Sequence, residues 1–352
     1  MARVMAKRVF QMLVAHAPRR VKRLVPGRMK QWMKSKYARR NVLIDIVGSC
    51  NLECPSCPSG ATERNPGGMM SLETFEKIID RVAREYPGTT VDLFNWTEPL
   101  LHPQIAQFVQ ITRAHRLRSS ISTNLNILRD PDALAAAQPE SITVSLSGFT
   151  QPVYVIGHKG GDVERVKGNM VRLSHSLLKA GSRTRVEVYF HKYRHNLHEV
   201  TLMRDYATSL GFLFKADWAY YMPIERVKSY VEGTLPDPET EFVESRFALN
   251  IKRAVEATKP FRHEPCALMT SSLAFDCRGT VQLCCAVYNS KKFSIGSYLD
   301  TPTETIEKKI LTHPYCDGCM QNGLHIYALW HGHEIRSDYE RIAQEGSGTP
   351  SG

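Results

Sequence analysis

Long apolar runs are absent from this chain of 352 residues, and their absence excludes a membrane-spanning helix, which needs roughly 20 consecutive apolar residues. The apolar stretch at residues 9–17 is short for a secretory signal, and no small-residue cleavage site follows it. Low-complexity sequence is absent apart from a Gly- and Ser-containing tail. These absences predict a folded, cytoplasmic protein.

Acidic residues are absent from the first 40 positions, which hold 13 Lys and Arg residues. The whole chain has a formal net charge of +11, but residues 41–352 carry 33 Lys and Arg against 35 Asp and Glu. The basic character therefore belongs to segment 1–40, where cations mix with apolar residues such as Phe10 and Leu13. Three interpretations stay open: a helix of structural role, contact with an anionic membrane surface, and contact with nucleic acid, for which no recognition motif is present.

Strand-like apolar runs alternate with helical periodicity over the next 180 or so residues. Because consecutive parallel strands joined by helices form a parallel sheet with right-handed crossovers, the pattern predicts an α/β fold with a partial or full β/α barrel. The six predicted strands cover residues 42–47, 90–94, 118–122, 141–146, 184–190 and 212–217.

Changes in composition divide the chain into five parts. A basic arm at 1–40 precedes the barrel core at 41–232. A Pro- and acid-rich linker is predicted at 233–262, a small cysteine-rich domain at 263–335 and a tail at 336–352.

Nine cysteines form tight groups, and in a reducing compartment such groups indicate metal or redox chemistry. Cys50, Cys54 and Cys57 follow the first predicted strand, and two prolines keep their loop from becoming helical. Three thiolates are typical ligands of an iron–sulfur cluster with one iron left open. The alternatives are a zinc site completed by a distant His and buried thiols without a metal.

With this CxxxCxxC loop after strand one, the chain resembles the radical S-adenosylmethionine (SAM) superfamily over residues 42–225. The resemblance implies that Cys50, Cys54 and Cys57 hold a 4Fe–4S cluster whose fourth iron binds S-adenosylmethionine. It also implies reductive cleavage of that cofactor to a 5′-deoxyadenosyl radical and an external electron donor of the flavodoxin or ferredoxin type. The family's Gly-Gly-Glu-Pro turn matches residues 95–99, in which Glu98 is kept and the glycines are not. The other positions that the resemblance assigns to cofactor binding are Ser122, Asn124, Ser145 and Ser147.

A second set of cysteines occurs near the end of the chain, at Cys266, Cys284, Cys316 and Cys319. Spacing alone fits either a closed iron–sulfur cluster or a structural zinc ribbon. The segment resembles the twitch domain, a shortened SPASM module, which implies a second, auxiliary 4Fe–4S cluster. Because Cys285 adjoins Cys284, either of the two is a candidate ligand.

Two cysteines remain, Cys277 and Cys285, and each is either a small buried side chain or a hydrogen-atom donor near the reaction. Polar residues after the later strands predict a hydrogen-bonding substrate pocket. Within that set Lys159, His191 and Glu225 are candidate proton acceptors. The pocket candidates are His158, Lys159, Tyr189, His191, Lys192, Asp217, Tyr220, Tyr221 and Glu225.

Together these features predict an enzyme that abstracts hydrogen from a small polar metabolite. The resemblance to twitch-domain dehydrogenases and related epimerases implies a sugar or aminocyclitol substrate and an oxidation or epimerisation. One alternative is a peptide maturase of the SPASM type, although no separate peptide-recognition domain is visible. An alternative of another class is a non-catalytic zinc-binding protein that contacts nucleic acid through the arm.

Overall fold

The structure is a computed structural model that describes residues 41–61, 67–289 and 291–348. The described residues belong to one compact unit. The three interpretations of the basic arm concern residues 1–40 and lie outside the described residues.

Six parallel strands form an unclosed sheet in the order β6-β5-β4-β3-β2-β1, which confirms the predicted α/β fold and partial barrel. The sheet stays open because β6 pairs only with β5 among the described strands. The six strands are β1 Asn41–Ile44, β2 Thr90–Asp92, β3 Arg118–Thr123, β4 Ser141–Ser145, β5 Arg185–Lys192 and β6 Leu213–Trp218.

Helices connect these strands, and their boundaries follow from capping residues in the sequence. Ser71 accepts a hydrogen bond from the Thr74 N–H and starts α2, and Asp162 does the same for α6 through the Arg165 N–H. The helices up to β6 are α1 Pro58–Ala61, α2 Leu72–Glu85, α3 Ile105–Ala114, α4 Pro131–Ala137, α5 Gln151–Gly157, α6 Val163–Lys179 and α7 Val200–Ser209.

The two faces of the sheet differ in polarity. Val144 and Val188 are fully buried and Ile121 is almost so, because the helices pack on this face. The alternate positions, including Ser122 and Tyr189, are only half buried and face the concave side. The fold thus surrounds a polar concave surface with a sheet whose outer face is apolar.

Three further strands continue the same sheet beyond β1: β7 Ser272–Phe275, β8 Thr280–Gln282 and β9 Ser294–Ser297. β7 pairs with β1 in parallel over four residues, and β8 and β9 follow in antiparallel order. β7 and β8 form a hairpin that leads into Cys284. The cysteine-rich segment, which we expected as a separate small domain, shares its sheet with the barrel.

The segment predicted as a linker is largely helical. It contains α9 Asp237–Arg246 and α10 Ile251–Thr258, which follow α8 Ile224–Val231 at the end of the predicted barrel core. All three helices pack around a second hydrophobic cluster that includes Phe247 and Trp330. Glu239 on α9 is buried, where its carboxylate accepts a hydrogen bond from Tyr221 (2.9 Å) and pairs with Arg226 (2.5 Å). The proline- and acid-rich composition of residues 233–262 therefore reflects helix starts and a buried ion pair.

The C-terminal part adds α11 Leu268–Ser271, α12 Thr303–Leu311, α13 Pro314–Gln321, α14 Leu324–Ala328 and α15 Arg336–Ser347. The expected tail begins with α15, whose Tyr339, Ile342 and Ala343 are buried. This helix belongs to the folded unit because its apolar face covers the second hydrophobic cluster. None of the described helices combines the length and apolarity needed to span a membrane.

Candidate active site

The loop after β1 brings Cys50, Cys54 and Cys57 to the carboxyl edge of the sheet. Tight turns shape it, because the Cys57 N–H donates to the Cys54 carbonyl and the Gly60 N–H donates to the Cys57 carbonyl. A side chain at Gly60 would meet the Cys54 backbone nitrogen at 2.5 Å, so only glycine lets α1 pack this closely on the loop. The loop is thus held in a compact form by its own backbone.

The three thiols are poorly solvated, and this affects their ionisation. Burial raises the pKa of Cys50 to about 12, with the Glu98 carboxylate adding to the effect, and it raises the pKa values of Cys54 and Cys57 as well. Because burial favours the neutral thiols, the ionised thiolates are stable here only when a positive charge lies beside them. A donor set of three buried cysteine thiols fits an iron–sulfur cluster, which binds thiolates and releases their protons.

His158 adjoins this set, although the sequence predicted it among the substrate residues. Its Nδ1 lies 4.0 Å from Cys54 Sγ, and its Nε2 accepts a hydrogen bond from the Ser147 N–H (3.1 Å). Burial lowers the pKa of His158 to about 3, so the ring is neutral at pH 7. Since a backbone N–H can only donate, the single ring proton sits on Nδ1 and points at the sulfur.

A buried carboxylate that sequence reasoning missed organises the turn after β2. Asp45 accepts hydrogen bonds from the N–H groups of Asn95, Trp96 and Thr97 (2.9, 3.0 and 3.2 Å) and from the Thr97 hydroxyl (2.6 Å). Burial raises its pKa to about 6. An acid inside the apolar run at residues 42–47 is the signal that would have revealed it. Asp45 therefore orders the turn at residues 95–97, which contains no glycine.

Glu98 is buried in the same turn and its carboxylate bonds within the chain. Its oxygens accept from the Leu100 N–H (3.0 Å), the Thr123 hydroxyl (2.7 Å) and the Asn124 N–H (2.8 Å). Burial raises the pKa of Glu98 to about 7. Asn124 in turn places its side-chain nitrogen 3.7 Å from Cys50 Sγ. Glu98 therefore connects the turn, the end of β3 and the cysteine loop.

The three predicted serines lie along the concave side of the sheet. Ser122 and Ser145 are half-buried strand residues, and Ser145 stands beside Tyr189 in the β4–β5 register. Ser147 is buried, and its hydroxyl accepts a hydrogen bond from the His191 N–H (3.1 Å). Ser122 and Ser145 thus lie on the open polar surface, whereas Ser147 connects β5 to His158.

A charged cluster occupies the β5–β6 side of the same surface and centres on Asp217. The Asp217 carboxylate accepts a hydrogen bond from the Tyr189 hydroxyl (2.9 Å) and pairs with Lys215 (3.0 Å) and Arg336 (3.3 Å). His331 Nδ1 lies 3.8 Å from it. Burial opposes ionisation, but the contacts with Lys215 and Tyr189 outweigh it and lower the pKa of Asp217. The carboxylate is therefore ionised at neutral pH.

His191 lies between this cluster and the cysteine loop. Its ring packs edge-on against Tyr189, and its position also affects the electrostatics of His158. Burial, together with His331, lowers the pKa of His191 to about 4, which makes it neutral at pH 7. A neutral imidazole in this position has a lone pair with which to accept a proton.

The second cysteine set surrounds one cavity. Cys266, Cys284, Cys316 and Cys319 all line it, together with apolar side chains. Cys316 and Cys319 share one face of α13 because they are three residues apart, while the other two come from the segments that flank β7 and β8. Four thiols around a mainly apolar space are the donor set of a closed iron–sulfur cluster. Across the described part of the chain no three potential ligands converge tightly enough for a single metal ion.

The two remaining cysteines differ in surroundings. Cys277 is buried, with its sulfur 3.6 Å from the Gly67 carbonyl oxygen, and it packs between the backbone of Gly48 and that of Gly68. Cys285 does not line the four-cysteine cavity, and its sulfur lies 3.7 Å from the Ser272 hydroxyl. Cys277 is thus a packing residue of the first cysteine loop.

Lys159 and Glu225 are not close to the charged cluster. Lys159 is exposed and lies 3.3 Å from Glu53 of the cysteine loop. Glu225 begins α8 beside the four-cysteine cavity, where its Oε1 accepts a hydrogen bond from the Tyr288 N–H (2.7 Å). Burial raises the pKa of Glu225. Tyr221, also predicted for the pocket, is buried against Glu239.

An open parallel barrel with a three-cysteine loop after its first strand is the arrangement that the comparisons with known proteins address. Residues 44–184 match the sequence profile of the Radical SAM superfamily. The chain is similar to this superfamily over that segment, and the likeness implies a 4Fe–4S cluster and S-adenosylmethionine (AdoMet).

Curated relatives match only parts of the chain. An AdoMet-dependent heme synthase of Methanosarcina barkeri is 26% identical over 113 residues, which cover 32% of each protein. A probable GTP 3′,8-cyclase of Methanococcus maripaludis is 23% identical over 197 residues, covering 55% of this chain and 63% of the relative. The matched parts span less than two thirds of either relative.

Solved structures support the fold over a longer stretch. The structure of native anSMEcpe with bound AdoMet superposes with a TM-score of 0.50 and 16% identity, covering 76% of this chain and 79% of the other. Streptococcus suis SuiB bound to S-adenosylmethionine gives a TM-score of 0.53 and 13% identity over 83% of this chain and 70% of the other. At these identities the likeness establishes the fold.

Proposed function

We propose that this enzyme binds AdoMet at a 4Fe–4S cluster held by Cys50, Cys54 and Cys57 and uses it to oxidise a small polar metabolite. The family's cofactors supply one-electron cleavage of AdoMet to a hydrogen-abstracting 5′-deoxyadenosyl radical. Glu98, Ser122, Asn124 and Ser145 are the proposed contacts of AdoMet along the concave surface. A flavodoxin- or ferredoxin-type protein is the proposed electron donor.

The observation that carries the substrate class is the polarity of the concave surface between the cysteine loop and Asp217. Ser145, Tyr189 and Lys215 are neighbours in the strand register, and His191 stands beside Asp217 in the next row. A surface of hydroxyl, carboxylate and ammonium groups binds hydroxyl- or amino-bearing molecules better than lipids. Sugars and aminocyclitols have this chemistry.

The chain also offers groups for the later steps of an oxidation. Removing two hydrogens from a carbinol requires acceptors for a hydrogen atom, a proton and an electron. His191, neutral at pH 7, is the proposed proton acceptor. Cys266, Cys284, Cys316 and Cys319 are the proposed ligands of an auxiliary 4Fe–4S cluster, which would supply the electron acceptor.

Epimerisation is a second candidate reaction, and the position of the Cys285 thiol favours it. Its thiol lies outside the four-cysteine cavity, near the Ser272 hydroxyl, and Tyr220 of the barrel is its electrostatic neighbour. A thiol in this position can return a hydrogen atom to a substrate radical. An epimerase would lose product formation on Cys285→Ala, whereas Cys277→Ala would keep it.

The decisive experiment starts with protein purified without oxygen, in which we expect about eight irons and eight sulfides per chain. Zinc without sulfide would instead support a zinc-binding protein. The purified enzyme is then incubated with reductant, AdoMet and deuterated sugars or aminocyclitols, and 5′-deoxyadenosine is analysed for deuterium. SuiB has been solved bound to its precursor peptide SuiA. Deuterium transfer from peptides alone would therefore replace this proposal with peptide modification.

A variant pair tests the location of the substrate. Asp217→Asn keeps an acceptor for the Tyr189 hydroxyl but loses the charge, and we expect at least a tenfold loss of substrate-dependent 5′-deoxyadenosine. Slow cleavage of AdoMet without substrate should persist. Asp338→Asn changes an exposed carboxylate of α15 and serves as the control. Equal activity of both variants would contradict a substrate site at Asp217.

A further inference from the structure

Five arginines lie at the opposite edge of the sheet from the cysteine loop. Arg118 and Arg185 are the first residues of β3 and β5, so they mark the amino ends of parallel strands, which share one edge. Arg113 belongs to the last turn of α3, and Arg116 and Arg183 occupy the turns that lead into the two strands. We call these five residues the arginine rim.

The positive charge of the arginine rim is not neutralised locally. All five side chains are exposed, and no ion pair to any of them exists within the part of the chain that the structure describes. Other exposed arginines do have ion pairs, for example Arg204 with Asp205 and Arg341 with Asp338. Arg113, Arg118 and Arg183 line one surface depression, in which Glu140 is the single acidic lining residue. The depression is therefore an electropositive surface.

Two exposed leucines share this edge. Leu178, in the last turn of α6, is 77% exposed, the largest value among the exposed large apolar side chains. Leu213, the first residue of β6, is 51% exposed. Exposed leucines beside unpaired arginines combine the two features of a surface that binds lipid: cations for headgroups and apolar side chains for the acyl boundary.

We propose that the arginine rim, with Leu178 and Leu213, binds the surface of an anionic lipid membrane. A role in the active site does not fit, because the six residues of β3 separate the rim from the cysteine loop by roughly 20 Å. Segments 113–118, 138–140 and 178–185 contain no Phe, Tyr or Trp on which the bases of single-stranded nucleic acid would stack, and His115 is their single aromatic ring. The sequence-based expectation of membrane contact concerned residues 1–40, and the rim is a separate set of side chains.

Co-sedimentation of the full-length protein with lipid vesicles tests the proposal. We expect binding to phosphatidylcholine vesicles that contain phosphatidylglycerol, weaker binding at high salt, and no binding to pure phosphatidylcholine. The triple variant Arg113→Glu, Arg118→Glu and Arg183→Glu should bind at least about tenfold more weakly. Leu178→Ser should also weaken binding, and this loss should persist at high salt because it is apolar in origin.

A matched triple variant controls for net charge. Arg165→Glu, Arg204→Glu and Arg341→Glu change three exposed, ion-paired arginines outside the rim and should bind vesicles like wild type. AdoMet cleavage should be normal in both triple variants, which verifies the fold and separates this test from that of the enzymatic activity. Equal vesicle binding by the two triple variants, or no binding by wild type, would overturn the proposal. So would binding of RNA that depends on the rim while vesicle binding does not.

Discussion

Cys54 Sγ accepts a hydrogen bond from His158 Nδ1 across 4.0 Å, and the Ser147 N–H on the other side of the ring determines which nitrogen has the proton. Tyr154 stacks on the imidazole at 4.7 Å and holds its plane. The histidine therefore presents a fixed N–H dipole to one of the three sulfurs of the first cysteine loop.

This contact predicts a change in reduction potential when His158 is replaced. An N–H donor stabilises the extra negative charge of a reduced cluster, so His158→Ala should lower the potential of the first cluster. The loss of one hydrogen bond, about 1 kcal/mol, corresponds to about 40 mV for one electron. Potentiometric titration followed by electron paramagnetic resonance measures it. His175→Ala, at an exposed helix position, is the control, and an unchanged potential in His158→Ala would refute the role.

The four-cysteine cavity predicts which of two adjacent cysteines is a ligand. Cys284→Ala should reduce the iron content from about eight to about four per chain, because Cys284 lines the cavity. Cys285→Ala should keep about eight, because Cys285 does not. Iron and sulfide analysis of anaerobically purified variants measures both. The reverse result would assign the ligand to Cys285.

Asp45 predicts a specific dependence of stability on pH. Its pKa is raised by burial from 3.8 to about 6, so the folded protein binds this proton more tightly than the unfolded chain. The resulting stabilisation, up to about 3 kcal/mol, is complete below pH 3.8 and is lost as the pH rises through about 6. Asp45→Asn should therefore flatten the dependence of Tm on pH between about pH 4 and pH 6. Asp80→Asn, at an exposed carboxylate, should keep the wild-type slope.

Removal of the hydrogen-bond acceptor at Asp45 should destabilise the protein. Asp45→Ala leaves three backbone N–H groups and the Thr97 hydroxyl without their partner. We expect a loss of at least about 3 kcal/mol in stability and weaker AdoMet binding than in Asp45→Asn. Thermal melting and equilibrium dialysis with labelled AdoMet measure these effects. Equal behaviour of the two variants would show that the turn does not depend on Asp45.

The buried ion pair of Glu239 predicts that residues 233–262, which the sequence indicated as a linker, are essential for stability. Glu239→Gln removes the charge that faces buried Arg226 and should destabilise the protein by about 3–5 kcal/mol. Glu241→Gln, two residues away on an exposed position of α9, should change stability by less than about 0.5 kcal/mol. Thermal melting of both variants tests this, and similar Tm values would indicate that residues 233–262 contribute little to the folded unit.

Local sequence patterns predicted the barrel well because its strands and helix starts are determined by residues close together in the sequence. The strand runs and the helix starts at Ser71 and Asp162 depend on neighbouring residues, and all six strands are present where periodicity indicated them. Pairing of β7 with β1 joins residues more than 200 positions apart, and no local pattern encodes it. α9 was missed because Phe242 and Val243 are its main apolar residues and give almost no helical periodicity.

In the candidate site, too, local sequence predicted some features, and others depend on long-range contacts. The cysteine spacings predicted two sets of thiols, and the structure groups each set around its own location. His158 lies beside a sulfur and not in a substrate pocket. Its position depends on tertiary contacts with α5, Ser147 and the cysteine loop. A side chain that orients other residues is not marked by a recognisable spacing in the sequence, and Asp45 is an example.

The four-residue pairing of β1 with β7 limits how this chain can be divided for experiments. A fragment ending at residue 232, where composition suggests a boundary, would leave β1 as an open edge strand. Val42 and Ile44 of that strand are fully buried in the intact protein, and an exposed apolar edge is a template for pairing between molecules. Such a barrel fragment would aggregate even with its first cysteine loop intact.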